Sequence, residues 1–156
     1  MERVCRSYGY FNGLEVHRDG SKGGSCLAWK EEVSISVQSF LRRHIDAHVV
    51  DQNNEQWWIF TGFYGSPYAQ EREESWNLLK SLRHNEEQSW FVYGDFNEIM
   101  YGFEKKGGLP REERRMEDFC NALKEYQLID VGYLGNWFTW ERGNFPETNI
   151  RKCLDR

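Results

Sequence analysis

The sequence predicts a single mixed α/β domain, and three observations carry that expectation. Val33, Ile35 and Val37 alternate with small polar residues, the period of a half-buried strand. Met116, Phe119, Cys120 and Leu123 recur at the spacing of one face of an amphipathic helix. The run "WFVY" at 90–93 passes straight into Gly94 and Asp95, too short for a surface helix and apolar enough for a strand buried on both faces.

Taken along the chain, strands and helices interleave. "SCLAWK" and "VSISVQSF" are strand-like. "HIDAHVV", the turn-like "DQNNEQ" and "WWIFTGFYG" predict an antiparallel hairpin with Ile45, Ala47 and Val49 on one face. "EESWNLLKSLRH" places Trp76, Leu79 and Leu82 at helical spacing. "WFVYGDF" follows as a strand, "YGFEKKGGLPRE" as a glycine-containing loop, "RRMEDFCNALKEYQ" as a helix and "WFTWERG" as a last strand. Internal repeats, low-complexity tracts and linkers are absent from the sequence, so residues 1–156 read as a single domain.

Composition bounds the function. A chain of 156 residues is long enough for a real core, and 16% aromatic residues are too many for a disordered acidic segment. The mean hydropathy of -0.81 makes the chain hydrophilic on average, and its apolar residues are gathered in the segments above. A net charge of -5 gives no global attraction for nucleic acid, so such a partner would need a local basic patch. Four cysteines without a CxxC pair, and without a secretory-type leader ahead of them, predict free thiols in a reducing compartment. No stretch has the length of a membrane span, so the sequence predicts a soluble, intracellular chain without membrane contact, and it points to no specific protein partner. The opening "MERVCRSYGYFNG" has neither cap nor strand signal and reads as a beginning cut from something longer.

The stretch "GDFNEI" is where chemistry is expected. Polar groups at the end of a buried strand are held rigidly by the sheet yet stay open to solvent. Gly94 lets the backbone turn or a ligand approach, and Asp95 could take a proton from water or help hold a cation. Asn97 would share Asp95's face in an extended chain and could donate to a phosphate oxygen. An Asx-type turn made by Asp95 and Asn97 is the plain alternative.

The companions of that stretch are "KGGSCLAWK", "FTGFYGSP", "EKKGG", "LIDVGYLGNWFTW" and "IRKCLDR". In this order they resemble the endonuclease/exonuclease/phosphatase superfamily, most of all the endonuclease domain of plant LINE-type, non-LTR retrotransposons. The resemblance implies a four-layer α-β-β-α sandwich of two packed mixed β-sheets, here incomplete at both ends. It also implies Mg²⁺-dependent hydrolysis of phosphodiester bonds, with DNA as partner and a nuclear location. By matching motifs, Asp95 positions or deprotonates the attacking water and Asn97 fixes it and the phosphate. Tyr64 contacts the scissile phosphate, and Asp155 orients a catalytic histidine. The family's first asparagine and its metal-binding glutamate would precede Met1, and the Ser-Asp-His segment would follow Arg156. The chain therefore resembles the middle of the domain, expected to be inactive in isolation, with no metal ligand assigned within it. A noncatalytic retroelement remnant, or a binding module, is the alternative.

Further candidates carry alternatives too. His44 and His48, four apart, could suit a metal on a helix, but their segment is strand-like and a solvated strand face is the plainer reading. Glu98 or Glu104 could replace a lost metal ligand, although Glu98 alternates away from Asp95 and Glu104 reads as a loop cap. His17 and His84 read as surface residues. Arg111 and Lys105, with Lys106, Arg114 and Arg115, could track substrate phosphates, against the plainer reading of a solvated loop and helix start. Trp140 could meet substrate or pack the core, and Phe138 is expected in the core.

Overall fold

The computed structural model describes residues 2–17, 24–52, 56–83, 88–132 and 134–156, without the side chains of residues 2–4 and 17. His84, the side chain of His17 and the centre of the expected turn at 51–56 lie outside the described residues. The chain divides into two compact units, residues 1–63 with 82–93, and residues 64–81 with 94–156.

The first unit is built on strands. After a short helix, α1 (Glu2–Ser7), which the sequence pattern did not signal, β1 (Asn12–His17) and β2 (Gly24–Trp29) form an antiparallel hairpin. Then β3 (Val33–Leu41), β4 (His44–Asp51), β5 (Trp57–Tyr64) and β6 (Trp90–Asp95) line up in that order in one sheet. β3, β4 and β5 are antiparallel neighbours, with a register shift between Val37 and Ser39. Ile59 N–H donates to Ser89 O at 2.9 Å and Gly65 N–H to Asp95 O at 2.8 Å, a constant offset that marks β5 and β6 as parallel and the sheet as mixed.

Two expectations for this sheet need correction. Ile45, Ala47 and Val49 are buried as predicted, but so are His44 and Asp46 on the other side of β4. A strand flanked by two neighbours and covered on both faces must partner its polar side chains internally: Asp46 accepts from Thr61 Oγ1 at 2.6 Å, and His44 Nε2 lies 3.0 Å from Ser39 Oγ. The solvated face expected for His44 is therefore overturned, whereas His48 stays half-buried. Conversely β6 is not buried on both faces, since Phe91 and Tyr93 are 44% and 55% exposed. Its apolar run reflects one covered face and one aromatic surface, with Phe91 packed near Phe60 at a 6.2 Å ring separation.

The second unit is held by two helices and a small sheet. α2 (Arg72–Ser81) carries Trp76 and Leu79 of its predicted apolar stripe but ends before Leu82, and α3 (Glu113–Glu125) carries the stripe predicted for it. The Trp76 ring stacks on Phe119 at 5.0 Å, Phe96 meets the same ring at 5.5 Å, and Tyr126 Oη donates to Trp76 O. Phe119, Leu79 and Ile99 are fully buried at the centre of this packing, and a buried Phe of this kind contributes about 2–3 kcal/mol. β7 (Lys105–Lys106), β8 (Trp140–Arg142) and β9 (Ile150–Lys152) make a three-stranded antiparallel sheet in the order β7-β9-β8. Only Trp140–Arg142 of "WFTWERG" are strand: Trp137 precedes β8 and is 41% exposed, while Phe138 is half-buried.

Candidate functional site

The residues after β6 turn away from an extended path as soon as Asp95 is passed. Asn97 adopts a left-handed backbone with φ 56°, and its N–H donates to Asp95 Oδ1 at 2.8 Å. This is an Asx turn, a conformation that Asn tolerates better than most residues. The expectation of an extended chain with both side chains on one face is thus corrected, because the Asp95 carboxylate offers the backbone a closer partner than the sheet does. The Asn97 side chain is fixed too, with Nδ2 donating to Gly65 O at 3.0 Å. Gly65 has to be glycine here: a Cβ would stand 2.3 Å from Phe96 O.

The C-terminal residues complete the arrangement. Gly94 and Arg156 exchange both backbone hydrogen bonds, Phe96 N–H donates to Leu154 O, and Asp95 and Asp155 are direct antiparallel partners. Asp155 N–H also reaches Thr139 Oγ1 at 3.2 Å. Two carboxylates far apart in sequence are thereby placed side by side. Tyr64, half-buried at the end of β5, immediately precedes the glycine that binds both Asp95 and Asn97. Burial pushes the Asp95 carboxyl up to about 6, the hydrogen bond from Asn97 N–H works against this, and the charge of Asp155 adds to it.

Behind the turn lies a charged hub. Glu98 is fully buried, and Arg72, Arg111 and Arg115 all converge on its carboxylate. Arg72 also donates through Nη2 to Asn97 O at 2.8 Å, and Arg111 Nη2 lies 3.4 Å from the same oxygen. The hub therefore clamps the carbonyl of the residue whose side chain faces Gly65. Glu104 forms a second buried anchor, accepting from Met100 N–H at 2.7 Å and pairing with Arg156.

The sequence model of the endonuclease/exonuclease/phosphatase family matches residues 3–156. The chain belongs to the endonuclease/exonuclease/phosphatase family. Among solved structures, it is similar to the endonuclease domain of TRAS1, a telomere-specific non-LTR retrotransposon, with a TM-score of 0.71, 11% identity and 92% of this chain covered. That likeness shows the fold, and bears out the α/β class that the sequence predicted. The chain spans 64% of the length of that domain. A search of curated proteins found no match.

Within the family chain, the residues predicted for the site fall into two groups. Asp95, Asn97 and Asp155 come together, with Tyr64 one residue from the glycine that ties them. Trp140 is half-buried on β8, with Lys152 Nζ 4.5 Å from its ring centre. Lys105 sits on β7 and donates to Gly107 O at 3.0 Å and to Leu109 O. Arg111 and Arg115 are not the solvated loop side chains of the plainer reading, because Glu98 draws both inward. Arg72 was missed altogether. Its one sequence signal was an arginine opening an amphipathic helix, which by itself reads as surface charge.

Neither glutamate weighed as a replacement metal ligand is free for that role: guanidiniums surround Glu98, and backbone N–H groups and Arg156 hold Glu104. No cluster of three or more His, Cys, Asp or Glu among the described residues could hold a metal. The Asp95–Asp155 pair would supply two carboxylates to a divalent cation, which is only part of a donor set. No helix among the described residues is long and apolar enough to cross a membrane.

Proposed function

We propose that this chain carries the central part of a phosphodiester-hydrolysing nuclease domain of the retrotransposon type, acting on DNA with Mg²⁺ as cofactor, and that these residues do not cleave DNA in isolation. The observation that supports this reading best is the pairing of Asp95 with Asp155 beside an Asn97 side chain locked on Gly65. A carboxyl near 6 is ionised at neutral pH yet basic enough to take a proton from water, which suits Asp95 as the group that orients or deprotonates the nucleophile. Asn97 would fix the same water and a phosphate oxygen, and the Tyr64 hydroxyl would donate to the scissile phosphate. Asp155 would orient a histidine, and Trp140, Arg111 and Lys105 would hold the strand on either side. Mg²⁺ would supply positive charge to the phosphate oxygens as the bond breaks, with Asp95 and Asp155 the carboxylates on offer here. A nuclear location follows from the same reading.

Plasmid nicking tests it. Residues 1–156 alone should leave supercoiled plasmid intact in Mg²⁺. A domain completed with the family's asparagine- and glutamate-bearing strands and its Ser-Asp-His segment should nick it. In that completed domain Asp95→Ala or Asn97→Ala should lower the rate by about a hundred- to a thousandfold, and Tyr64→Phe by less. A completed domain that folds and nicks equally well with Asp95→Ala would remove Asp95 from the mechanism.

A further inference from the structure

The hub around Glu98 holds more positive charge than its surroundings balance. Three guanidiniums meet one carboxylate, an excess of two positive charges in a region where the Arg72, Arg111 and Arg115 side chains are only 9%, 14% and 23% exposed. The approaches are also incompletely used. Arg111 Nε lies 2.6 Å from Glu98 Oε1 and Arg115 Nε 3.3 Å from Oε2, so three guanidiniums share the two oxygens of one carboxylate, and Arg72 Nε has no hydrogen-bond partner. A buried guanidinium with unused N–H groups is costly unless an acceptor is supplied.

Two lysines enlarge the same excess. Lys105 on β7 and Lys152 on β9 are direct cross-strand partners, so both side chains leave one face of the sheet. Like charges placed directly opposite repel, and here no carboxylate separates them in the register. Burial and then the charges of Arg111 and Lys105 push the Lys152 amine down, and burial with Arg111 does the same to Lys105. The amines are part-satisfied by other means, Lys105 by the Gly107 and Leu109 carbonyls and Lys152 by the Trp140 ring. Neither partner carries a full negative charge. Glu98 opposes the cations from within, Glu112 adds a weaker attraction at Arg111, and the Asp95 carboxylate attracts Lys152 from outside the hub.

We propose that Arg72, Arg111 and Arg115, gathered on Glu98, form with Lys105 and Lys152 a binding site for a phosphate group, next along the chain from Asn97. A phosphate fits on chemical grounds: it is an acceptor-only anion with several oxygens, matched to forked guanidinium donors, and it offsets the surplus charge that Glu98 leaves. Glu98 is then a positioning residue that keeps three guanidiniums facing one place. The proposal deepens the nuclease reading by giving the substrate backbone a second holding point beyond the scissile bond. It rests on that reading only for whose phosphate is bound.

The test reads binding and needs no cleavage. The purified chain is titrated with inorganic phosphate, and in parallel with a short single-stranded DNA, while the arginine Nε–Hε signals are followed by NMR and the melting temperature is recorded. The expected result is a saturable shift of the Arg72, Arg111 and Arg115 signals with a rise in melting temperature. Arg115→Gln should weaken phosphate binding by about tenfold or more, and Arg114→Gln, at an exposed neighbouring position, should leave it unchanged. Competition between DNA and inorganic phosphate for the same signals assigns the site to a backbone phosphate, whereas a response to inorganic phosphate alone assigns it to a free or terminal one. No saturable shift with either ligand, or equal binding by the parent chain and Arg115→Gln, overturns the proposal. A silent hub in a domain that nicks DNA would sink the phosphate site alone, and phosphate binding in a completed domain that cuts nothing would sink the nuclease reading alone.

Discussion

The two units solve the problem of buried polarity in opposite ways. In the first, buried polar groups make short side-chain contacts within the sheet: Thr61 donates to Asp46 and accepts from Trp90 Nε1 at 2.8 Å, and His44 meets Ser39. In the second, the buried groups are largely ions, Glu98 with three arginines and Glu104 with Arg156. The strands of the first unit satisfy their own backbone, and a few hydroxyls partner its buried side chains, leaving His44 Nδ1 without a hydrogen bond. The second unit must hold irregular loops at 96–104 and 153–156, and charge-assisted bonds fix such segments where no ladder does. The residues proposed for chemistry sit in the second kind of environment, where loops are pinned by ions.

Breaking the ionic side should cost most. Glu98→Ala leaves three guanidiniums without their carboxylate and should lower unfolding stability by about 3–5 kcal/mol, measured by urea denaturation. An effect below about 1 kcal/mol would show that solvent already screens the hub. The hydroxyl side should be milder: Thr61→Val removes its links to Asp46 and Trp90 and should cost about 1–3 kcal/mol in the same assay.

One group in each unit should also answer pH in the opposite direction to the other. Burial lowers the pKa of His44 from its ordinary 6.5, so its share of stability is full above that value and is lost as pH falls through the lowered pKa. Asp95 is raised from 3.8 to about 6, so its share is full below 3.8 and is lost as pH rises through about 6. Asp95→Asn should therefore raise the melting temperature near neutral pH, with the gain disappearing toward about pH 4. His44→Gln should instead reduce the loss of stability on acidification. Identical pH profiles for the two variants would remove the contrast. The smallest effect belongs to the exposed Lys80–Glu125 pair between α2 and α3, where Lys80→Ala should change stability by no more than about 1 kcal/mol.

Much of the secondary structure was legible because it is a matter of period. The alternation in β3 and the stripe of α3 follow from side-chain direction alone, and both segments form where the pattern placed them. Local chemistry offered the Asx turn as the alternative to an extended chain, since Asp and Asn two apart after a glycine carry their own partner for the backbone. Period could not tell which faces would be covered. Phe91 and Tyr93 are exposed although their run is apolar, and His44 and Asp46 are buried although they are polar, because coverage depends on what lies above a sheet and not on the strand's own residues. α1 and β1 lacked a clear periodic signal and were not anticipated.

The sequence by itself determined the family motifs, the strand and helix periods and which residues at "GDFNEI" are proposed for chemistry. Only the tertiary structure decided that Asp155 lies against Asp95, that Gly65 holds Asn97, and that Arg72, Arg111 and Arg115 meet on Glu98. The physical reason is range. Periodicity and turns act over a few residues, while charges and hydrogen bonds join groups by distance in space, so a buried glutamate and its three arginines become one site only once the chain has folded.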